Sequence, residues 1–220
     1  MDKKKELVDN FQEIIDSGDM EAFKKVFDTC EIAATKASGR VGKGGTTWNT
    51  NCNAFSYSNL TPAHIQFLVD NGLEVNSNCG YGFPAITFQA SNAENLRCLL
   101  DNGADLEYVV SPKLGTALAI ACMHQDVDGV RNLIDAGASI RTTGCDGKPL
   151  IDLALSFCVG CIPQALSVAI ILLEHGAETT DNTQEYLFDV VRSFGYDKHN
   201  MTEEQVDEID LLLDELFSYF

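Results

Sequence analysis

Four apolar runs along the chain end in nearly the same polar phrase. IQFLV (65–69), LRCLL (96–100), VRNLI (130–134) and AIILL (169–173) are followed by DNGLEVN, DNGADLE, DAGASIR and EHGAETT. Their apolar positions fall at i, i+3 and i+4, which predicts an amphipathic helix in each. The glycine that follows (Gly72, Gly103, Gly137, Gly176) stands where a helix C-terminus takes a left-handed residue. These glycines are 31, 34 and 39 residues apart, a spacing that signals stacked repeats. About ten residues further on, a second glycine opens a shorter apolar stretch: Gly82 in GFPAITFQA, Gly115 in GTALAIAC and Gly147 in GKPLIDLAL, with a poorer copy, GTTWNTNCNAF, at Gly45. The unit reads as turn, helix A, tight turn, helix B and loop. Ala117, Ala119, Ala121 and Ala154 let neighbouring helix A segments approach closely. Only ten residues separate Thr61-Pro62-Ala63-His64 from Gly72, too few for two helices, so Thr61 is expected to cap helix B with Pro62 as its first residue.

Both ends carry further helical patterning. Residues 5–16 place Leu7, Phe11, Ile14 and Ile15 on one helical face, Ser17-Gly18 breaks it, and Asp19 caps a second helix bearing Phe23, Val26 and Phe27. Residues 32–46 are rich in Gly and Lys and are expected to form a mobile loop. At the other end, 183–194 is a helix stopped by Gly195. Thr202 and Gln205 then form a capping box ahead of a helix that buries Val206, Ile209, Leu212, Leu213, Leu216 and Phe217. Its opposite face is acidic, as the terminal unit of a stack requires.

These residues resemble the ankyrin repeat family. The best copy is 114–141, in which Thr116, Leu118, Ala121, Val130, Leu133, Gly137 and Ala138 fall on the family pattern. The family's TPLH is degraded to TALA and FPAI; 82–107 is about two residues short between its helices, and 147–180 about six too long. The resemblance spans roughly 45–180. It implies an all-α helix-turn-helix solenoid of about five or six helical pairs: a single ankyrin-repeat domain over 1–220, with a helical cap and mobile Gly/Lys loop at 1–44, repeats at 45–180 and a C-terminal cap at 181–220. It further implies a non-catalytic protein-protein interaction module that meets its partner through the hairpin loops and the exposed face of helix A.

Composition bears on partners more than on fold. A net charge of −18 is placed unevenly, with eight basic and nine acidic residues in 1–43 against seven and 24 in 44–220. A body this acidic repels nucleic acid and anionic membranes and attracts a basic partner. An acidic immunity-type inhibitor of a basic toxin or nuclease is therefore the alternative reading. A third is a secreted bacterial effector, because the acidic C-terminus ending in apolar residues resembles type IV secretion signals. No apolar run reaches the ~18–20 residues that span a bilayer, and the MDKKKELVDNF start has no signal-peptide core. A soluble, cytoplasmic protein is expected.

Candidate chemistry is sparse. The eight cysteines are spread along the chain, and no disulfide framework is expected. Cys158-Val-Gly-Cys161 lacks the second ligand pair of a zinc site and the βαβ setting of a redox motif. GRVGKGGT fails the phosphate-loop order, because Gly44 follows Lys43. His64, His124, His175 and His199 lie in different units without a shared carboxylate. Asp152 takes the place of the family's histidine and is expected to hydrogen-bond locally. No catalytic, cofactor or metal residue is assigned. The expected partner surface uses the loops 77–81, 108–114 and 142–146 and comprises Tyr81, Phe83, Tyr108, Val109, Val110, Met123, His124 and Arg141, aligned as one stripe. Apolar and aromatic groups in loops are what interface hot spots use.

Overall fold

In the computed structural model, which describes residues 2–41, 47–110, 114–144, 147–156 and 161–220, each of the four apolar runs is a helix closed by its glycine. The helices are Pro62–Asp70, Ala93–Asp101, Val127–Asp135 and Ile162–Glu174. Gly72, Gly103, Gly137 and Gly176 all take φ between 83° and 96°. The amide after each glycine reaches back five residues: Leu73 to Leu68, Ala104 to Leu99, Ala138 to Leu133 and Ala177 to Leu172, at 2.9–3.0 Å. Each glycine N–H also bonds the carbonyl three residues before it. This is the Schellman motif four times over, and it satisfies carbonyls that a helix end leaves orphaned. Thr61 precedes Pro62 as expected.

Two units compose the chain, Met1–Leu106 and Glu107–Phe220. The first contains a sheet, which corrects the all-α expectation. Strand β1 (Lys4–Glu6) precedes α1 (Phe11–Asp16) and α2 (Met20–Thr29), and then come β2 (Cys30–Val41) and β3 (Thr47–Asn53). β1 pairs with β2 in parallel, and β3 pairs with β2 antiparallel, with Thr35 opposite Asn53, Lys36 opposite Cys52 and Val41 opposite Thr47. Residues 32–41 of the expected mobile loop are thus strand, and residues 47–53 of the expected poor helix are β3. The reason is visible in burial: Cys30 and Ala34 are buried and Ile32 packs on the core, while Ala33 is exposed. That two-residue period belongs to a half-buried strand. The helix expected over 5–16 starts only at Phe11, because Leu7 N–H is engaged by Thr35 O at 3.1 Å, in line with the sheet.

The unit continues through a 3-10 turn (Ala54–Ser56), α3 (Pro62–Asp70), α4 (Ala85–Gln89) and α5 (Ala93–Asp101). Its core is aromatic. Phe11 meets Phe23, Phe27 and Tyr57 at 5.5, 5.9 and 4.9 Å between ring centres, and Phe23 meets His64 at 4.4 Å. Tilted and edge-on pairs of this kind add about 0.5–1.5 kcal/mol each beyond burial. A buried polar network fixes the 3-10 turn: Gln89 donates to Phe55 O and Tyr57 O, and Asn95 donates to Leu60 O and to Gln89 Oε1.

The second unit holds α6 (Ala117–Met123), α7 (Val127–Asp135), α8 (Leu150–Ser156), α9 (Ile162–Glu174), α10 (Asp181–Asp197) and α11 (Glu203–Phe217). α6 packs on α8 and α8 on α10, while α7 packs on α9 and α9 on α11. Small residues make this possible. A Cβ on Gly115 would lie 2.6 Å from Thr143 O and 2.9 Å from Ala119 Cβ. Two expectations fail here. α10 runs through Gly195 to Asp197, since buried Phe194 anchors its last turn and Lys198 covers that ring at 5.7 Å. Phe217 is not buried but 51% exposed. Among the described residues no helix is long and apolar enough to cross a membrane.

Candidate protein-binding surface

In the first unit the candidate residues stand on a tight turn. Asn78 Oδ1 accepts from Gly80 N–H and Gly82 N–H at 3.0 and 3.1 Å, and Phe83 N–H closes the turn on Gly80 O at 2.9 Å. The two central residues, Tyr81 and Gly82, have φ of 55° and 87°. Positive φ at both is the signature of a type I′ turn, a conformation that suits Asn or Gly and strains a bulky residue. Tyr81 is nonetheless there, exposed, on the rim of an open groove of about 450 Å³. Phe83 is half-buried, 6.1 Å from the Phe88 ring, and so supports the turn rather than standing free of it.

The same groove is lined by residues that the sequence reading passed over: Asp9, Lys36, Cys52, Tyr57 and Phe88. Lys36 Nζ pairs with Asp9 Oδ1 at 2.8 Å and also donates to Asp9 O at 3.1 Å. The hydrogen bond and charge of Lys36 lower the Asp9 carboxyl, and Asp9 in turn raises Lys36. Burial raises the Tyr57 hydroxyl. Lys36 lay in the segment expected to be a loop. The alternation Cys30, Ile32, Ala34 was the available signal, and the Lys36–Cys52 register brings these groups together.

In the second unit Tyr108 is 37% and Val109 57% exposed, whereas Val110 is half-buried with its N–H on Gly115 O at 3.0 Å. Beside them Glu107 Oε1 accepts the Ser139 N–H at 2.7 Å, which ties this loop to the next. Residues 111–113 and 145–146 of the expected loops lie outside the described residues. Met123 is half-buried and His124 exposed, and both stand at the C-terminal end of α6. Tyr108–Val110 are tied to its N-terminal side. The α6 helix of seven residues, about 10 Å long, runs between the two groups. Arg141 is exposed and lines a different groove of about 380 Å³ with Thr142, Glu178 and Thr179. Tyr81 and Phe83 belong to the first unit, the other six residues to the second.

Groups considered for chemistry sit in structural surroundings. Asp152 is buried, and its two carboxyl oxygens accept from Thr180 Oγ1 at 2.9 Å and from Thr183 Oγ1. The expectation of a local bond is corrected: the partners are 28 and 31 residues away, at the N-terminus of α10. Burial pushes the Cys79 thiol up to about 12 and raises Cys122 as well, away from the thiolate that nucleophilic chemistry needs. Cys161 is exposed as the residue before α9, and Cys158 lies outside the described residues. So do 42–46 of the GRVGKGGT stretch; its first residues are the end of β2. Among the described residues no three His, Cys, Asp or Glu side chains gather as metal ligands.

No protein-family model matches the chain, and no curated protein sequence does either.

Proposed function

We propose that the chain is a non-catalytic protein-recognition module, built of ankyrin-like helical pairs, that binds a protein partner through its turns. Four Schellman-closed helices and the pairwise packing of α6 to α11 support the ankyrin-like reading. The observation that carries the functional reading is Tyr81: an aromatic side chain held exposed, on a groove rim, at a backbone conformation that glycine would adopt at less cost. Strain of this kind is retained where the surroundings use it. Tyr108 and Val109 extend the same reading to the second unit, each as a separate contact.

The experiment is capture from a lysate of the source organism on the immobilised chain, at low and high salt, with mass spectrometry of what is retained. Tyr81→Gly is expected to leave the melting temperature equal or higher, because it relieves roughly 1 kcal/mol of turn strain. It is also expected to reduce capture about tenfold or more. Unchanged capture would remove Tyr81 from the surface. A specific protein held at high salt fits recognition by apolar contacts. A basic protein released as salt rises fits the second reading, an acidic inhibitor of a basic toxin or nuclease, which the net charge of −18 favours.

A further inference from the structure

The α10–α11 pair exposes apolar surface. Among the described residues the large apolar side chains that stand exposed are Tyr81, Tyr108 and Val109, and all the others fall within 188–220. Phe188 (67% exposed), Phe217 (51%) and Phe220 (49%) meet Gln184, Leu187 and Val191 around a shallow groove of about 280 Å³. Gln184, Leu187, Phe188 and Val191 follow one another at helical spacing, so α10 presents a continuous strip along the groove. The groove lies below the roughly 300–1,000 Å³ of pockets that enclose small ligands. It suits side chains projecting from a protein segment.

Charge selects that segment. Residues 181–220 hold eleven acidic and two basic side chains, half of the chain's net −18. Of the two cations, Arg192 is paired with Asp189 at 2.8 Å, and Lys198 stands over the Phe194 ring. Glu185 and Asp214, both exposed, each precede a groove phenylalanine by three residues (Phe188 and Phe217), which makes them neighbours on the helix surface. A second copy would bring the same dense negative charge against itself, and an anionic lipid surface would be repelled in the same way. A cationic partner is attracted and steered.

We propose that the α10–α11 groove docks a cationic amphipathic helix of a partner protein. Apolar side chains at i, i+3 or i+4, and i+7 seat on the Phe188, Val191 and Phe217 strip, and Lys or Arg residues face the acidic rim. Docking on this groove does not depend on the role of Tyr81 or Tyr108.

The test titrates the full chain into a fluorescent model helix of leucines at i, i+4 and i+7 with lysine elsewhere, and into its twin with glutamate for lysine, following anisotropy. The lysine peptide is expected to bind saturably, and the glutamate peptide not at all. Phe188→Ala and Phe217→Ala are each expected to weaken binding about tenfold or more. Tyr108→Ala should leave it unchanged. Both rings are at least half exposed, so the melting temperature should hold. Asp214→Lys, at an exposed site, is a second variant that should weaken the lysine peptide without touching the apolar strip. Four results would overturn the proposal. They are no saturable binding, equal binding of the two peptides, lysine-peptide binding indifferent to both Phe variants, and sedimentation showing a dimer that Phe217→Ala abolishes, which would make the occupant a second copy.

Discussion

Tyr81 and Gln125 hold left-handed backbone, at φ of 55° and 52°, that side chains ordinarily avoid. Gln125 lies just past the end of α6, and its Nε2 donates to Met123 O at 2.9 Å, so the side chain repairs the helix end that it strains. Tyr81 stands exposed on the groove rim. His64 is a third residue whose role its environment decides. Its Nδ1 accepts the Thr61 N–H at 3.1 Å, closing a capping box, while Nε2 is buried with no hydrogen-bond partner among the described residues and the ring packs on Phe23. Burial lowers its pKa, and protonation would also destroy the Nδ1 acceptor. The unfolded chain then binds the proton better than the folded one. The His64 contribution is therefore complete above the unfolded value near 6.5 and is lost as pH falls from there toward the lowered folded value. Thermal melts between pH 7 and 5 should show a decline that is shallower in His64→Gln, which keeps an acceptor for Thr61. An unchanged slope would remove His64 as its source.

The elements that were legible in the sequence are those whose ends are set by local chemistry. Asp19 caps α2 by accepting from Glu21 N–H and Ala22 N–H, and Thr202 and Gln205 exchange hydrogen bonds at the start of α11. Both interactions span two or three residues and can be read from spacing alone. β2 was not legible in that way. KASGRV (36–41) is poor in strand-forming residues, and its state depends on β3 lying beside it. The bond between Asp152 and α10 is another long-range element: it clamps α8 to the capping box formed by Thr180 and Thr183. Asp152→Ala strands two buried or half-buried hydroxyls and should lower the unfolding free energy by about 1–3 kcal/mol. Asp152→Asn, which keeps an oxygen acceptor, should cost less. Urea denaturation of the three proteins measures both, and equal stability of the alanine variant would show that the clamp contributes nothing.

Across the whole molecule the excess of Asp and Glu acts as a self-repelling charge. Few cations are available to balance it, and the ion pairs seen, such as Lys24–Glu21 and Lys36–Asp9, involve exposed carboxylates; pairs of this kind contribute about 0–1 kcal/mol. Raising ionic strength from about 0.01 to 0.15 M shortens the screening length from about 30 to 8 Å, and the melting temperature should rise with it. A melting temperature that falls or stays flat would mean that local pairing outweighs net repulsion. By itself the sequence determined the four glycine-closed helix ends, the caps of α2 and α11 and the sign and location of the charge, because each rests on residues within a few positions of one another or on composition. The tertiary structure alone decided that 30–41 and 47–53 are strands, that Lys36 and Tyr57 share a groove with Tyr81, that Asp152 reaches α10, and that Phe217 faces outward. Each of these depends on which distant segment lies opposite, and the pattern of a segment does not encode its neighbour.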